Sequence, residues 1–537
     1  MAEGHKSPGS KASPFYLARS KICVDATGKC IGDGMFAGCN FGAGENIAAM
    51  HRPLVASLDT ERLPDTCANC YTWTEGSSIG SRLYVKEGTK VSQCAGCKRF
   101  RYCSKACQKE AWNRGHKHEC KNLRHVSDKE LPKAVLATME LLIRRKHGLI
   151  PDPVWDMLQR LDTHQHDFLK NGKYGGIELM ALGTSQFSFT QDTFDKDFVA
   201  AMYARVLTNS LTLITPTFDP LGIVLDPTLG HINHSCDPNA YIVMEGPEVA
   251  IRTLKPIRKD EEIYICYIEP TNPYARRQSE LSSRWFFTCK CTKCQKGAGL
   301  PEDKWAIKPK DMEKRWKEVA DNMIESGADS ARDPASFVGE SSDEKRVAAI
   351  QGRAFQEYDE TQRIADPEQA IKKIEDGMRL CYQSGLWTMY RQPYAAFRDD
   401  LIVNMLTVGN FQIALAHCAK RYKYILPKLY PQTGHPIRVV QTWQTAMLAL
   451  YLANEEKPVA PGVDIPVIAY MLVMEVNHAA RLSHGENSAF ARSVKAKLEE
   501  MRAQFISLLG EKADELLANG IPPQRKLFLE MGNWMQY

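Results

Sequence analysis

Short-spaced cysteines constrain the fold of this chain more than any other feature of its sequence. Seven of them and one histidine form a first block: Cys67, Cys70, Cys94, Cys97, Cys103, Cys107, His116 and Cys120. Two intervening residues let both thiolates of a pair reach one ion, and a three-residue gap places two ligands one helical turn apart. Eight ligands complete two tetrahedral Zn²⁺ sites, so the block predicts a region held together by structural zinc.

A second group of thiols lies in and after a polar heptapeptide. Residues 233–239 read Asn-His-Ser-Cys-Asp-Pro-Asn, and a strand-like run, 262–267, later ends in Tyr267. The thiols in and after these segments are Cys236, Cys289, Cys291 and Cys294. Four thiolates are a closed ligand set for a third zinc ion. Such a site would tie the segment after Tyr267 to the heptapeptide.

The rest of the composition fits a globular protein in a reducing compartment. With 537 residues, 44% of them hydrophobic, the chain exceeds one core and predicts several domains. Met1–Ser13 is polar without the apolar stretch of a secretory signal, and no apolar run approaches the roughly 20 residues that span a bilayer. We therefore expect a protein of the cytoplasm and nucleus, with reduced thiols and no membrane partner. The scattered cysteines are predicted to be small buried residues: Cys23, Cys30, Cys39, Cys266, Cys381 and Cys418.

The order of these motifs resembles the SET domain of protein-lysine methyltransferases. Upstream of the first zinc block lies Gly32-Asp33-Gly34, followed by 44–48 and 52–55, as in the opening strands of that family. The resemblance implies a pseudoknot between the strand of Tyr267 and the heptapeptide, and methyl transfer from S-adenosyl-L-methionine to a lysine amine. A lone G-x-G also fits a simple hairpin turn.

The same resemblance implies roles for single residues. Tyr267 is the predicted catalytic residue. The predicted cofactor contacts are Gly32, Gly34, Asn209, Asn233, His234 and Phe287. Asn209 equally fits a helix-ending asparagine, and Trp285 and Phe286 are as aromatic as Phe287. Core packing is the simple alternative for that aromatic run.

The first zinc block resembles a MYND finger. In that family two zinc sites interleave, which implies one quartet of Cys67, Cys70, Cys103 and Cys107 and a second of Cys94, Cys97, His116 and Cys120. The family also implies binding of short proline-containing peptides. Residues 61–124 hold 13 Lys and Arg against six Asp and Glu, which fits nucleic acid, an acidic peptide or simply a solvated face. Ser104 is predicted to cap a short helix that runs to Trp112.

Residues 300–537 predict an all-α domain, because apolar residues recur there at three- and four-residue spacing. The predicted helices are 346–362, 366–383, 393–408, 410–428, 435–454, 465–484 and 487–518. Stacked helix pairs of this kind are tetratricopeptide-like, although no strict repeat is legible. His435-Pro436-Ile437, after Tyr430-Pro431, resembles the C-terminal domain of the SMYD family.

Nearly the whole chain therefore resembles the SMYD family, in which a MYND finger splits a SET domain. We predict an α+β protein: a β-rich SET fold with a pseudoknot, split by a two-zinc finger and followed by an all-α tetratricopeptide-like C-terminal domain. The predicted segments are a disordered lead 1–13, SET 14–62, finger 63–124, helical insert 125–207, SET 208–270, post-SET zinc segment 271–299 and helical domain 300–537.

The resemblance implies a monomeric lysine methyltransferase that acts on histone or non-histone proteins. It implies S-adenosyl-L-methionine and three zinc ions as cofactors. Two alternatives differ in class. One is a catalytically weak adapter that binds peptides through its finger and helical repeats. The other is a regulator that binds nucleic acid through the basic finger.

Overall fold

The computed structural model describes residues 13–22, 32–74, 88–306, 343–454 and 459–537, and for 343–346 the backbone alone. The predicted lead 1–13 lies almost wholly outside the described residues, as do Cys23 and Cys30. No helix in the part of the chain that the structure describes is long and apolar enough to cross a membrane.

Short strands from both ends of the predicted SET region make up its β structure. The strands in the described residues are β1 Phe15–Arg19, β2 Asp33–Ala37, β3 Asn46–Met50, β4 Val55–Leu58, β5 Ser92–Gln93, β6 Arg101–Tyr102, β7 Leu211–Ile214, β8 Pro220–Leu225, β9 Asn233–His234, β10 Ala240–Glu245, β11 Glu248–Thr253 and β12 Tyr264–Ile265. Their order in the small sheets is β1-β2, β10-β11-β3, β4-β8-β7, β12-β9 and β5-β6.

Strand pairing joins the two halves of the SET region across the finger and the insert. Antiparallel β3 pairs with β11, and β4 pairs with β8, so residues near 50 lie beside residues near 225 and 250. β12 runs parallel to β9, with Tyr264 opposite Asn233 and Ile265 opposite His234. This parallel contact is the pairing that the pseudoknot expectation requires.

The strand predicted over 262–267 is shorter than expected. Only Tyr264 and Ile265 pair as a strand, because the partner β9 itself has two residues. Beyond them, the backbone N–H of Tyr267 donates to the His234 side chain in place of a neighbouring strand's carbonyl. In the turn before it, Asp260 takes a left-handed φ of 63°, a conformation that asparagine and aspartate adopt more readily than most residues.

Helices fill the finger and the insert, as predicted. They are α1 Lys105–Ala111, α2 Lys117–His125, α3 Lys133–Lys146, α4 Asp152–Gln159, α5 Gln165–Lys170, α6 Tyr174–Ser188 and α7 Lys196–Asn209. The Ser104 hydroxyl accepts from the Cys107 N–H, which confirms the predicted cap of α1. A π-helical turn, Trp112–His116, links α1 to α2. Two further helices flank the heptapeptide region, α8 Pro227–Gly230 and α9 Tyr274–Trp285.

The C-terminal region is helical throughout its described residues, and its helix positions agree closely with the prediction. They are α10 Asp343–Thr361, α11 Pro367–Gln383, α12 Tyr394–Thr407, α13 Phe411–Lys420, α14 Leu426–Leu429, α15 Pro436–Ala453, α16 Ile465–Ser483, α17 Ala489–Leu509 and α18 Ala513–Met531. The single helix predicted over 487–518 is wrong. Gly510, with φ of 70°, ends α17, and α18 continues through Pro522 and Pro523, which argue against a helix on local propensity.

The helical domain docks on the β10-β11 hairpin. The buried Arg252 guanidinium donates to the backbone oxygens of Gly44 and Ser483. The Glu245 carboxylate accepts from the N–H groups of Ala489 and Phe490, at 2.8 and 3.1 Å, and so caps α17. These contacts join the helical domain directly to the sheet behind the heptapeptide.

Candidate functional site

A cavity of about 1320 Å³ opens where the two SET halves, the insert and the cysteine segment 289–291 meet. Its lining includes six of the seven residues predicted to act on cofactor or substrate: Gly32, Asn209, Asn233, His234, Tyr267 and Phe287. The volume exceeds that of typical small-molecule sites, about 300–1,000 Å³. The cavity is therefore large enough for a nucleoside-sized cofactor together with a substrate side chain.

Tyr267 is held at both ends within this cavity. Its hydroxyl donates to the Ile232 carbonyl at 2.6 Å, and its backbone N–H donates to His234 Nδ1 at 3.0 Å. The ring centroid lies 5.2 Å from that of His234 and 5.4 Å from that of Trp285. The phenol oxygen thus has a defined position beside backbone carbonyl oxygen at the start of the heptapeptide.

Asn233 and His234 line the cavity, but their polar atoms are already engaged within the protein. Both amide hydrogens of Asn233 have acceptors, the Asp33 carbonyl at 3.0 Å and Glu262 Oε1 at 2.8 Å. Burial lowers the pKa of His234 to about 4, so its imidazole is neutral. The Asn233 amide hydrogens and the His234 ring nitrogens are thus already bonded within the protein.

Glu262 is a site residue that the sequence analysis missed. Its carboxylate is buried, and it accepts from Ser20 Oγ at 2.7 Å, Lys21 N at 3.2 Å, Asn233 Nδ2 at 2.8 Å and the Tyr264 hydroxyl at 2.9 Å. It therefore ties the N-terminal strands to the heptapeptide. No local signal marks it, since Glu261 beside it is an identical side chain in the same polar turn.

Gly34 lies outside the cavity lining, and its cofactor contact stays a prediction. It lies against Glu262 and Asn233, and a Cβ at this position would stand 2.2 Å from Glu262 Oε1. Gly32 and Asp33 reach the cavity lining, whereas Gly34 does not. Glycine is required at 34 because the carboxylate of Glu262 fills the space that a side chain would need.

The position of Asn209 agrees with a helix-ending asparagine, and its contact with a cofactor stays a prediction. It is the last residue of α7 and lines the cavity. Its Nδ2 donates to the carbonyls of Asp162, at 2.8 Å, and Arg205, at 2.9 Å. Arg205 Nε donates to the Leu161 carbonyl at 2.9 Å. The two side chains hold the loop after α4 as one wall of the cavity, a contribution of the insert that the sequence did not predict.

The three consecutive aromatics all line the cavity and face different neighbours. The Trp285 indole donates to the Thr208 carbonyl at 3.1 Å. Phe286 takes a left-handed φ of 62° and packs edge-on against Phe168, with centroids 4.9 Å apart. The Phe287 ring lies 6.0 Å from that of His234. Of the three, Phe287 is the one beside the heptapeptide, as predicted for the cofactor contact.

The third cysteine quartet forms as expected next to this cavity. The sulfurs of Cys236, Cys289, Cys291 and Cys294 lie within 4.8 Å of one another, and all four residues are buried. Hydrogen bonds to Cys289 and Cys291, then burial, raise the pKa of the Cys236 thiol, while hydrogen bonds to Cys236 and Cys289 lower the pKa of Cys291. Four crowded buried thiols can all ionise only around a cation, so this donor set fits Zn²⁺.

The finger residues group into the two interleaved quartets that the MYND resemblance implies. Cys67, Cys70, Cys103 and Cys107 form one, and Cys94, Cys97, His116 and Cys120 form the other. His116 Nε2 faces the sulfurs of Cys94 and Cys97, at 3.5 and 3.7 Å, while its Nδ1 lies 2.9 Å from Glu119. A carboxylate behind a histidine ligand orients the ring toward the metal, so this set also fits zinc.

Every described cysteine is a free thiol. Among the scattered cysteines, Cys381 and Cys418 are buried as predicted and Cys266 is half-buried. The prediction is wrong for Cys39, which is exposed. It lies in the turn between β2 and β3, where no core element covers it.

A model of the SET domain family matches residues 32–268. The chain is 32% identical over 267 residues to "SET domain and MYND-type zinc finger protein 6" of Schizosaccharomyces pombe, covering 49% of this chain and 50% of that protein. It is 24% identical over 503 residues to "Histone-lysine N-methyltransferase ASHR1" of Arabidopsis thaliana, covering 88% and 94%. Identity to "Histone-lysine N-methyltransferase SMYD3" of Homo sapiens is 29% over 243 residues, covering 44% and 54%.

The aligned region thus spans about half the length of the fission-yeast and human relatives, and nearly all of the plant one. A solved structure, the SET domain of LSMT bound to lysine and AdoHcy, aligns along 97% of this chain and 95% of that chain at 11% identity, with a TM-score of 0.25. A TM-score this low supports no conclusion about this chain.

Proposed function

Because the chain belongs to the SMYD family of SET and MYND domain proteins, we propose that it methylates lysine side chains of protein substrates, with S-adenosyl-L-methionine as the methyl donor. The main observation in support of this proposal is the position of Tyr267. Its hydroxyl is fixed against the Ile232 carbonyl in a large cavity that Asn233, His234 and Phe287 also line.

The residues around Tyr267 suit a transfer to an uncharged amine. When bound, S-adenosyl-L-methionine supplies an electrophilic methyl group on a sulfonium. The phenol oxygen of Tyr267 and the Ile232 carbonyl oxygen present partial negative charge to a polarised methyl group and can accept weak C–H···O contacts. Aromatic walls, Trp285 and Phe287, exclude water and so favour the neutral form of a lysine amine. Alignment of the reactants by a rigid site supplies several kcal/mol of barrier reduction.

The zinc quartets have structural roles in this proposal. Each offers four protein ligands and so leaves no open coordination position for substrate. The third quartet would anchor the segment that carries Phe287 to the heptapeptide, and the two finger quartets would fold the finger. An active transferase fits these features better than an adapter, since the machinery implied by the family resemblance meets at one cavity.

The proposal is tested by transfer of labelled methyl groups. Purified protein would be incubated with labelled S-adenosyl-L-methionine and a pool of histones and cell lysate, followed by identification of modified residues. We expect label on lysine. Tyr267→Phe removes one hydrogen bond of about 1–1.5 kcal/mol, so kcat should fall about tenfold. Tyr451→Phe, at an exposed helical position, is the matched control. Label on other residue types only, or a Tyr267→Phe rate equal to wild type, would contradict the proposal.

We further propose that the finger engages short proline-containing peptides, that the protein acts as a monomer, and that it works in both cytoplasm and nucleus. The finger's family resemblance supports the first point, and the free thiols fit a reducing compartment. Binding to nucleic acid would instead rest on the basic charge of 61–124. The test is the electrophoretic mobility of DNA in the presence of the protein. A salt-dependent mobility shift that disappears on charge reversal at Lys117 and Lys121, both exposed on α2, would favour nucleic-acid binding over peptide binding.

A further inference from the structure

His234 forms a polar contact with both Tyr267 and the third cysteine quartet, against which Tyr267 also packs. Its Nδ1 lies 3.0 Å from the backbone nitrogen of Tyr267. Its Nε2 lies 3.2 Å from the sulfur of Cys236, a member of the third quartet. The ring is buried, with 3% of its surface exposed, so water does not compete for either nitrogen.

The neighbours of the ring determine which nitrogen carries the proton. A backbone N–H can only donate, so Nδ1 of His234 must be the acceptor toward Tyr267. A neutral imidazole has one N–H, which therefore lies on Nε2 and is directed at Cys236. When Cys236 ligates zinc its sulfur is a thiolate, and a thiolate is a good acceptor for that N–H.

We propose that His234 is a positioning residue that couples the zinc quartet of Cys236 to the catalytic Tyr267, and not a side-chain ligand of the cofactor. The proposal rests on the proposed function for its kinetic part only. A zinc-bound Cys236 thiolate would accept a hydrogen bond from the Nε2–H of His234 and so orient the ring. Nδ1 of the oriented ring would then hold the backbone N–H of Tyr267. Occupancy of the third zinc site thereby controls the position of the phenol oxygen.

The coupling explains why Tyr267 can be rigid although β12 ends two residues before it. No ladder hydrogen bond holds its N–H, and the imidazole replaces that bond. Loss of zinc would free the Cys236 sulfur from its place in the quartet and so release the His234 ring from one side. The backbone of Tyr267 would then be held less firmly, while its hydroxyl contact with the Ile232 carbonyl would not depend on the ring.

Two substitutions separate the two bonds of the ring. In His234→Gln the side-chain amide nitrogen can reach the place of Nε2, so the bond to Cys236 is kept and the bond to Tyr267 is lost. In His234→Asn the side-chain oxygen can reach the place of Nδ1, so the bond to Tyr267 is kept and the bond to Cys236 is lost. His478→Asn and His478→Gln, on α16, are the matched controls.

The first readout is metal affinity, measured by competition with a chromophoric chelator. Loss of a hydrogen bond to a metal ligand weakens metal binding about 10–100-fold. We expect that weakening in one of the three zinc equivalents for His234→Asn, and affinity within about threefold of wild type for His234→Gln. The charge-transfer band of the cobalt-substituted protein should shift in His234→Asn alone.

The second readout is catalysis. We expect His234→Gln to lower kcat about tenfold, with the KM for S-adenosyl-L-methionine within about threefold of wild type. Equal metal affinity and cobalt spectra in all variants would overturn the coupling. A rise in the KM for the cofactor with kcat unchanged would show a cofactor ligand instead. If wild-type protein transfers no methyl group, the proposed function fails, while the metal measurements still decide whether His234 bonds to Cys236.

Discussion

Glu262→Gln tests the arrangement that joins the N-terminal strands to the heptapeptide. The substitution keeps the shape of the side chain and removes one of two acceptor oxygens. In the protein, one oxygen accepts from Ser20 and Asn233, and the other from Lys21 N and the Tyr264 hydroxyl. With glutamine, a donor NH₂ group faces either the first pair or the second.

The loss can be worked out from these four bonds. With the amide oxygen kept toward Ser20 and Asn233, the Lys21 N–H loses its acceptor outright. The Tyr264 hydroxyl can turn and accept from the new NH₂, so that contact is partly recovered. Hydrogen bonds to a charged group contribute about 1.5–3 kcal/mol each, and the two retained bonds become neutral. We therefore expect the free energy of unfolding to fall by roughly 3 kcal/mol.

The assay is urea unfolding of Glu262→Gln beside wild type, together with calorimetric binding of S-adenosyl-L-methionine. Affinity should fall about tenfold, because Asn233 lines the cavity and its amide, which also donates to the Asp33 carbonyl, loses its charged acceptor. Glu261→Gln is the control: its exposed carboxylate accepts only from the Arg258 N–H nearby, and it should change stability by no more than about 0.5 kcal/mol. Equal stability and affinity in Glu262→Gln and wild type would refute the reasoning.

Three further outcomes are expected. Arg252→Met keeps side-chain volume but removes the guanidinium donor of the Gly44 carbonyl and one of the two donors of the Ser483 carbonyl, the other being the Tyr241 hydroxyl. Unfolding free energy should therefore fall by about 2–3 kcal/mol, and limited proteolysis between the SET and helical parts should accelerate. Burial raises the pKa of Asp400 from 3.8 to about 6, so the folded state holds more protons between these values and stability falls as pH rises through that window. Asp400→Asn should abolish this pH dependence and add about 2 kcal/mol to the unfolding free energy at pH 7, as measured by urea titrations at pH 4 and pH 7. Metal analysis should give about three zinc ions per chain, and Cys236→Ser should remove one of them and weaken cofactor binding.

The parts of the fold and the site that could be predicted from the sequence depend on the local spacing of residues. A C-x-x-C pair or an i, i+4 pair on a helix places its two ligands together, so the ligand pairs follow from local spacing. The grouping of the pairs into quartets came from the family resemblance, since spacing does not fix it and Cys236 lies far from Cys289 in the chain. The hairpin of β10 and β11 has apolar runs on either side of the Gly246-Pro247 turn, and its strands are Ala240–Glu245 and Glu248–Thr253. The C-terminal helices follow from apolar residues at helical period.

What could not be predicted depends on residues far apart in the chain. The four donors of Glu262 come from positions up to 242 residues away, and nothing local distinguishes this carboxylate from the exposed Glu261 beside it. The role of Gly34 follows only once Glu262 is known to fill the adjacent space. From the sequence, Arg252 would be a surface residue of the hairpin. In the structure it is buried because the backbone near residue 483 packs against it and accepts its hydrogen bonds. These are tertiary contacts, which hydrophobic period and motif spacing do not encode.

Calorimetric titration of the zinc-loaded protein with S-adenosyl-L-methionine tests the central claim most directly, because every residue role assigned around Tyr267 presupposes that the cavity holds this molecule. Binding of one molecule per chain, weakened about tenfold or more by Phe287→Ala through the loss of ring packing, is the predicted result. Absence of binding in protein that carries its full complement of zinc would contradict the account.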